Sequence, residues 1–420
     1  MPNNTLSHLT TSINSLLKKV VTRINYIKGL KVVSLKPNQP SRGNVLFSYR
    51  IEPFLLKAGQ PIPHDHTWYW EVWRMVQTFL DLGYNVDVIQ FYNDEFVPEK
   101  HYSFFIDVRH RMQELAPKLN RDCVKIFHVD IANMVFRNAA ECHRHLELQQ
   151  RRGITLCPQR YEVPNLGIEY ADYGIVLGNE FTINTFKYAN KPIYRVPLSN
   201  PTVYPWPEQK DFEAARKNFL WFASHGFVHK GLDLVLEAFA QMPDFHLTVC
   251  GPLNQEPEFE QAFHQELYET PNIHTYGWID VTSPEFIEVT NSCIGTVLVS
   301  AAEGGAGSVI TCMHTGLIPI VNYETSVDVH EDYGVLLKNS SIAEIQAAVR
   351  RISNLPVEDL KSMSRKAWEY VRANHTKENF TQVYRNTIEQ ILENHSQKKQ
   401  TSTSSKQLVS SDASGGLRLR

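Results

Sequence analysis

The chain has 420 residues, of which 42% are hydrophobic, with 22 prolines and 20 glycines. That composition is globular, and the length exceeds one ordinary core, so two domains are expected. A net charge of −3 conceals +7 over residues 1–42 and +4 over 396–420, leaving −14 for residues 43–395. So acidic a body argues against nucleic-acid binding, which depends on cationic contacts to phosphate.

No run of 18 apolar residues occurs, so no transmembrane helix is expected. Neither is a signal peptide, since a compact apolar stretch with a small-residue cleavage site is lacking. Cys123, Cys142, Cys157, Cys250, Cys293 and Cys312 form no C-x-x-C pair, and reduced, mostly core thiols in a cytoplasmic protein are expected.

In chain order, Leu6, Leu9, Ile13, Leu16, Val20, Ile24 and Ile27 make one apolar stripe over residues 6–30, with Lys18, Lys19, Arg23 and Lys28 largely off it. This basic N-terminal extension (1–42) is read either as a helix in an anionic membrane interface or as one docked on its own protein. Residues 36–42 read as linker. A first domain over 43–200 opens with a strand at 44–49, a helix at 67–83 and a strand at 85–91, which together make a βαβ unit. Further strands are predicted at 104–108, 124–128 and 173–177. Residues 197–207, rich in proline, look like the interdomain connection.

A second domain over 201–375 is predicted to carry strands at 219–223, 246–250, 273–276, 294–299 and 318–321. Helices between them are expected at 232–241, 259–268, 284–290 and 308–314. Closing helices are predicted at 342–354, 357–373 and 377–394. The last of these, within 376–395, is expected to pack back on the first domain. Residues 396–420, rich in Ser, Thr, Gln and Gly, read as disordered.

Two loops of the second domain stand out. Ser224-His225-Gly226-Phe227-Val228-His229-Lys230-Gly231 and Glu303-Gly304-Gly305-Ala306-Gly307-Ser308 each follow a strand and open a helix. Free N–H groups and the positive end of a helix dipole there favour an anion. Lys230 adds a cation for a diphosphate, and Glu303 a lone carboxylate beside glycines that let backbone approach a ligand. The bland alternatives are a surface lysine in a turn and a solvated loop acid. His225 and His229 are weaker candidates. No G-x-G-x-x-G follows the first strand, which argues against an ordinary NAD enzyme.

The stretch from Ala223 to Phe239 resembles the lysine-glycine segment of glycosyltransferase family 4. The run Ser300 to Ile310, with Gly316 and Pro319-Ile320-Val321 beyond it, resembles that family's Glu, seven residues, Glu segment. His246 to Pro252 and Asn272 to Gly277 fit as well. The resemblance implies a GT-B fold: two Rossmann-like doubly wound α/β domains facing a cleft, the donor held by the second, with no metal or other cofactor. It implies donor contacts from Ser224, His225, Gly226, Lys230, Gly251, Pro252 and Tyr276, and from Glu303, Gly304, Gly305, Ala306, Gly307, Ser308 and Thr311. Glu303 would face the transferred sugar and Lys230 the diphosphate. Two departures stand out. Thr311 occupies the usual place of the second glutamate and is shorter and uncharged. The family's arginine before the lysine is also missing, with Ser224-His225-Gly226 in its place.

The first domain would then hold the acceptor. His64, Asp65 and His66 lie in the loop after its first strand, and His128 ends another strand as a candidate catalytic or sugar-contacting group. Asn179 sits in a further loop facing the cleft. His64 and His66 lack further ligands at a recognised spacing, so zinc is not expected. Each histidine could equally be structural. Arg151, Arg152 and Arg160 read as helix-end charges. The expected activity moves a hexose from a nucleotide diphosphate sugar to an acceptor hydroxyl, with retention by resemblance. The acceptor would be a glycan, a lipid-linked species or a small molecule, in polysaccharide, glycolipid or other glycoconjugate synthesis. Alternatives are a GT-B nucleotide-sugar epimerase and a degenerate GT-B protein that only binds a glycan or partner.

Overall fold

Consecutive apolar residues such as Val45-Leu46-Phe47 and Val297-Leu298-Val299 suit strands covered on both faces, and all six are fully buried. The computed structural model describes residues 30–412 except Ala58, Asp65 and Arg109. Its first sheet contains β1 (Val32–Leu35), β2 (Asn44–Tyr49), β3 (Asn85–Gln90), β4 (Phe104–Asp107), β5 (Val124–Val129), β6 (Tyr173–Val176) and β7 (Ile193–Arg195). Their order is β1-β3-β2-β4-β5-β6-β7, with β1 antiparallel to β3 and the other pairs parallel. Helices α1 (Thr67–Asp81), α2 (Met134–Arg152) and α3 (Glu180–Phe186) belong to this domain.

The second sheet contains β8 (Asn218–Phe222), β9 (His246–Cys250), β10 (Ile273–Gly277), β11 (Gly295–Leu298), β12 (Ile318–Asn322) and β13 (Val335–Leu337). It is parallel throughout, in the order β10-β9-β8-β11-β12-β13. Around it lie α4 (Leu232–Ala240), α5 (Pro257–Ala262), α6 (Pro284–Ser292), α7 (Gly307–His314), α8 (Ile342–Ser353) and α9 (Val357–Asn374). This is the doubly wound order, and its direction reverses between β8 and β11. Loops at such a switch point diverge and leave a crevice above the carboxyl ends of the strands. The two loops singled out in the sequence leave those two strands.

Helix α10 (Lys377–Asp412) closes the structure. Its Phe380 and Tyr384 are fully buried, and the Phe380 ring meets Trp70 of α1 edge-on at 5.9 Å. Lys377 Nζ lies 5.4 Å from the Trp70 ring centre. The last helix thus ties the second domain back to the first.

Several elements differ from the sequence expectation. Val32–Leu35 lies inside the stretch read as an N-terminal extension, yet it is a strand of the first sheet. β7 and β13 are three residues each, too short to show a period. α2 was not anticipated, because its buried face is Arg137, Asn138, Glu141, Arg144 and Leu148 and leaves no apolar stripe to read. The helix expected at 259–268 is α5 followed by a π-helical turn over Gln265–Glu269. The stretch from Ser396, read as disordered, continues α10 as far as Asp412. The helix expected over 6–30 lies outside the described residues save for Leu30.

Among the described residues no helix is long and apolar enough to cross a membrane. Four of the six free cysteines are buried, whereas Cys142 and Cys157 are exposed. The contact between α10 and α1 should carry much of the interdomain stability. Phe380→Ala should therefore lower unfolding free energy by about 3–5 kcal/mol, as read by urea denaturation.

Candidate active site

Lys230 closes the loop after β8, and Glu303 lies in the loop after β11. Their side chains meet, with Lys230 Nζ donating to Glu303 Oε1 at 2.7 Å. Ser300 Oγ donates to the same oxygen at 2.8 Å. Each of the two charged residues is only 6% exposed. Burial alone would raise the Glu303 pKa. The Lys230 ammonium, then His229, Arg160 and Arg137, outweigh that and hold the carboxyl well below its usual range. Burial acts against charge on Lys230, and Glu303 is the chief group supporting it.

The opposite wall is the polar face of α2. Arg137 Nη1 donates to the Ala302 carbonyl at 2.9 Å, and Arg144 Nη1 to the Val299 carbonyl at 3.1 Å. Both acceptors belong to the Glu303 loop. Glu141 bonds to Nδ1 of His229, whose Nε2 donates to the Ala302 carbonyl at 2.8 Å. Burial would raise the Glu141 pKa, but hydrogen bonds from His145 and His229 and the His229 charge keep it ionised. Arg151 and Arg152 occupy the last turn of α2, as helix-end charges would. They also bridge the domains, Arg151 to Asp233 at 2.6 Å and Glu237 at 3.0 Å, and Arg152 to Glu266 at 2.6 Å.

Close backbone approach completes the seam. A Cβ on Gly304 would lie 2.3 Å from the Asp130 carbonyl carbon, so no side chain fits there. Thr182 of α3 donates to the Glu303 carbonyl at 3.2 Å and shares a hydrogen bond with Ser326 Oγ at 2.7 Å.

The structure thus brings together Lys230, Glu303, His229 and His225, and adds Arg137, Glu141 and Arg160 from the first domain. Ser224 and His225 are exposed on the lysine loop, whereas Gly226 is buried. Gly251 packs against the Ala223 carbonyl, and Pro252 follows it. Tyr276 is 48% exposed near the end of β10. Gly305 packs on Leu198 of the first domain, Ala306 caps α7, and Gly307 faces open space ahead of Ser308. Thr311 Oγ1 donates to Asn200 Oδ1 at 2.8 Å and lies 2.9 Å from the Gly307 carbonyl, so its hydroxyl already has protein partners.

The acceptor-side expectations fare differently. His128 is buried near the end of β5, beside a small cavity that Asp130, Asn133 and Glu162 also line. It is 2% exposed, its ring is 6.3 Å from that of Tyr384, and its Nδ1 has no partner among the described residues. His66 caps α1, with its Nδ1 accepting from the Trp68 N–H at 3.2 Å. His64 Nε2 lies 3.2 Å from Thr282 Oγ1 and 3.5 Å from Asp280, which places it across the cleft from the second domain. Asp65 lies outside the described residues. Asn179 caps α3, and its Oδ1 also accepts from Ser326 Oγ at 3.0 Å, which commits it to the seam. Among the described residues no group of three His, Cys, Asp or Glu side chains could hold a metal ion.

Burial pushes His128, His314 and His375 from 6.5 to about 4. A folded-state pKa below the unfolded one means that the unfolded chain takes up protons first as pH falls. Stability should therefore be full above about pH 6.5 and decline toward about pH 4. Urea midpoints across that range should show the decline, and His128→Gln should flatten it.

The family described as Glycosyl transferases group 1 matches residues 207–370. No curated protein matches the sequence. Among solved structures, a sucrose-phosphate synthase from Thermosynechococcus elongatus is 12% identical with a TM-score of 0.60, covering 84% of this chain and 99% of that one. The trehalose 6-phosphate synthase of Burkholderia multivorans is 10% identical with a TM-score of 0.55, covering 91% and 100%. Anabaena HepE, solved in complex with UDP-glucose, is 12% identical with a TM-score of 0.53, covering 83% and 100%. At such identities the likeness establishes the fold. The match over 207–370 falls on the second domain, and the fold of the chain is GT-B.

Proposed function

We propose that the chain moves a hexose from a nucleotide diphosphate sugar to an acceptor hydroxyl, as a cytoplasmic, metal-independent enzyme of glycan or glycoconjugate synthesis. The observation that carries this reading is the meeting of Lys230 and Glu303 at 2.7 Å over the switch point of the second sheet. HepE, of the same fold, is seen with UDP-glucose, and that chemistry suits this site.

Glu303 neutralises Lys230 across their 2.7 Å contact. An arriving diphosphate would take the ammonium and release Glu303 toward the sugar, so one ion pair is exchanged for another of like charge. As the bond from the anomeric carbon to the phosphate oxygen breaks, Lys230 would meet the charge that develops on the departing diphosphate. The acceptor oxygen would bond to the same face of that carbon, which retains configuration. Its proton would pass to the leaving phosphate oxygen.

Lys230→Ala and Glu303→Gln should each lower turnover about 10²–10³-fold, read as release of nucleoside diphosphate from a panel of nucleotide sugars. Circular dichroism should show the fold retained. Unimpaired release in either variant refutes the assignment. The tie from Thr311 to Asn200 leaves a binding-only reading open to the same screen. Binding of a nucleotide sugar without any release, with acceptors supplied, would favour it.

A further inference from the structure

Arg160 belongs to no helix or strand, yet its backbone is held at both ends. Its N–H donates to Glu141 Oε1 at 3.0 Å, and its carbonyl accepts from Arg137 Nε at 3.1 Å. Those two side chains lie one turn apart on α2. The flanking residues are fastened in the same way. Gln159 N–H also donates to Glu141 at 3.0 Å, and Glu162 exchanges two hydrogen bonds with Asn138, at 2.7 and 2.8 Å. Glu141 and Arg137 are also the residues that grip His229 and the Glu303 loop. One pair of side chains therefore sets Arg160 and the Lys230–Glu303 site in mutual register.

The Arg160 side chain then crosses into the second domain. It runs over Gly226, whose φ is +89° and where an added Cβ would lie 2.4 Å from Arg160 Cγ and 2.7 Å from its Cδ. Its Nη1 donates to His225 Nε2 at 3.2 Å. Its Nε is shielded from solvent and has no partner among the described residues. A neutral His225 is a weak partner for a guanidinium that has five donors to offer. Desolvation, joined by Arg160, Lys230 and Arg137, pushes that histidine down to about 4 and so keeps it neutral. His225 also stands in the loop segment from which the resembled family's arginine is missing.

We infer that Arg160 is a donor-binding residue, which supplies from the first domain the guanidinium for the nucleoside diphosphate that the lysine loop itself lacks. The inference rests on the nucleotide-sugar reading above. Lys230 and Arg160 would then hold the diphosphate from opposite domains, so the phosphates themselves would stitch the seam. The forked donors of Arg160 suit two phosphate oxygens, where the single ammonium of Lys230 acts as a point charge.

The test uses the full chain and calorimetric titration with UDP, GDP and ADP. If none of them binds the wild type, the nucleotide-sugar reading fails and the inference falls with it. If one binds, Arg160→Gln, which keeps most of the packing over Gly226, should weaken it by about tenfold to a hundredfold. Arg160→Gln combined with His225→Arg, which returns a guanidinium to the loop, should recover most of that loss. Unchanged affinity in Arg160→Gln overturns the inference. So does a loss that tracks a fall in melting temperature and that His225→Arg leaves unrepaired, since that marks a purely structural residue.

Discussion

A buried ion pair governs this structure. Taking an ammonium and a carboxylate out of water costs several kcal/mol per ion, and their attraction offsets this only with good geometry and further hydrogen bonds. Lys230 and Glu303 have both, at 2.7 Å with Ser300 on the shared oxygen. An apolar pair of similar volume would often be as stable, so stability alone is a weak reason for two charges here. The proposed exchange, in which the site receives an anion and frees a carboxylate, is a stronger one.

The pair depends in turn on α2. Its Arg137, Glu141, Arg144, Arg151 and Arg152 all reach the second domain, through carbonyls of the Glu303 loop, through His229, or through acidic side chains. The seam between the domains is therefore largely polar, and water can re-solvate such a surface on separation. The apolar attachment lies elsewhere, where Phe380 of α10 meets Trp70 of α1. The molecule joins a polar, ion-paired seam over the site to an apolar latch behind it.

Departures from the resembled segments make sense against this geometry. Thr311 bonds to Asn200 in the interdomain connection, so a position expected to face nucleotide helps to hold the domains together. His225 lies under a guanidinium that arrives from the other domain. His128 and Asn179, expected to face an acceptor, are buried beside a small cavity and in the seam respectively.

The sequence by itself determined the two doubly wound domains and the two loops that meet at the second switch point. Those features are written in apolar runs and in glycine spacing, signals local to a few consecutive residues. It did not disclose α2, β1 or the position of Arg160. A helix whose buried face is arginine, glutamate and asparagine has no apolar period, because its partners are carbonyls and charges far away in the chain. Arg160 lies 70 residues from Lys230, and only the packing of one domain on the other brings its guanidinium against His225 of the lysine loop.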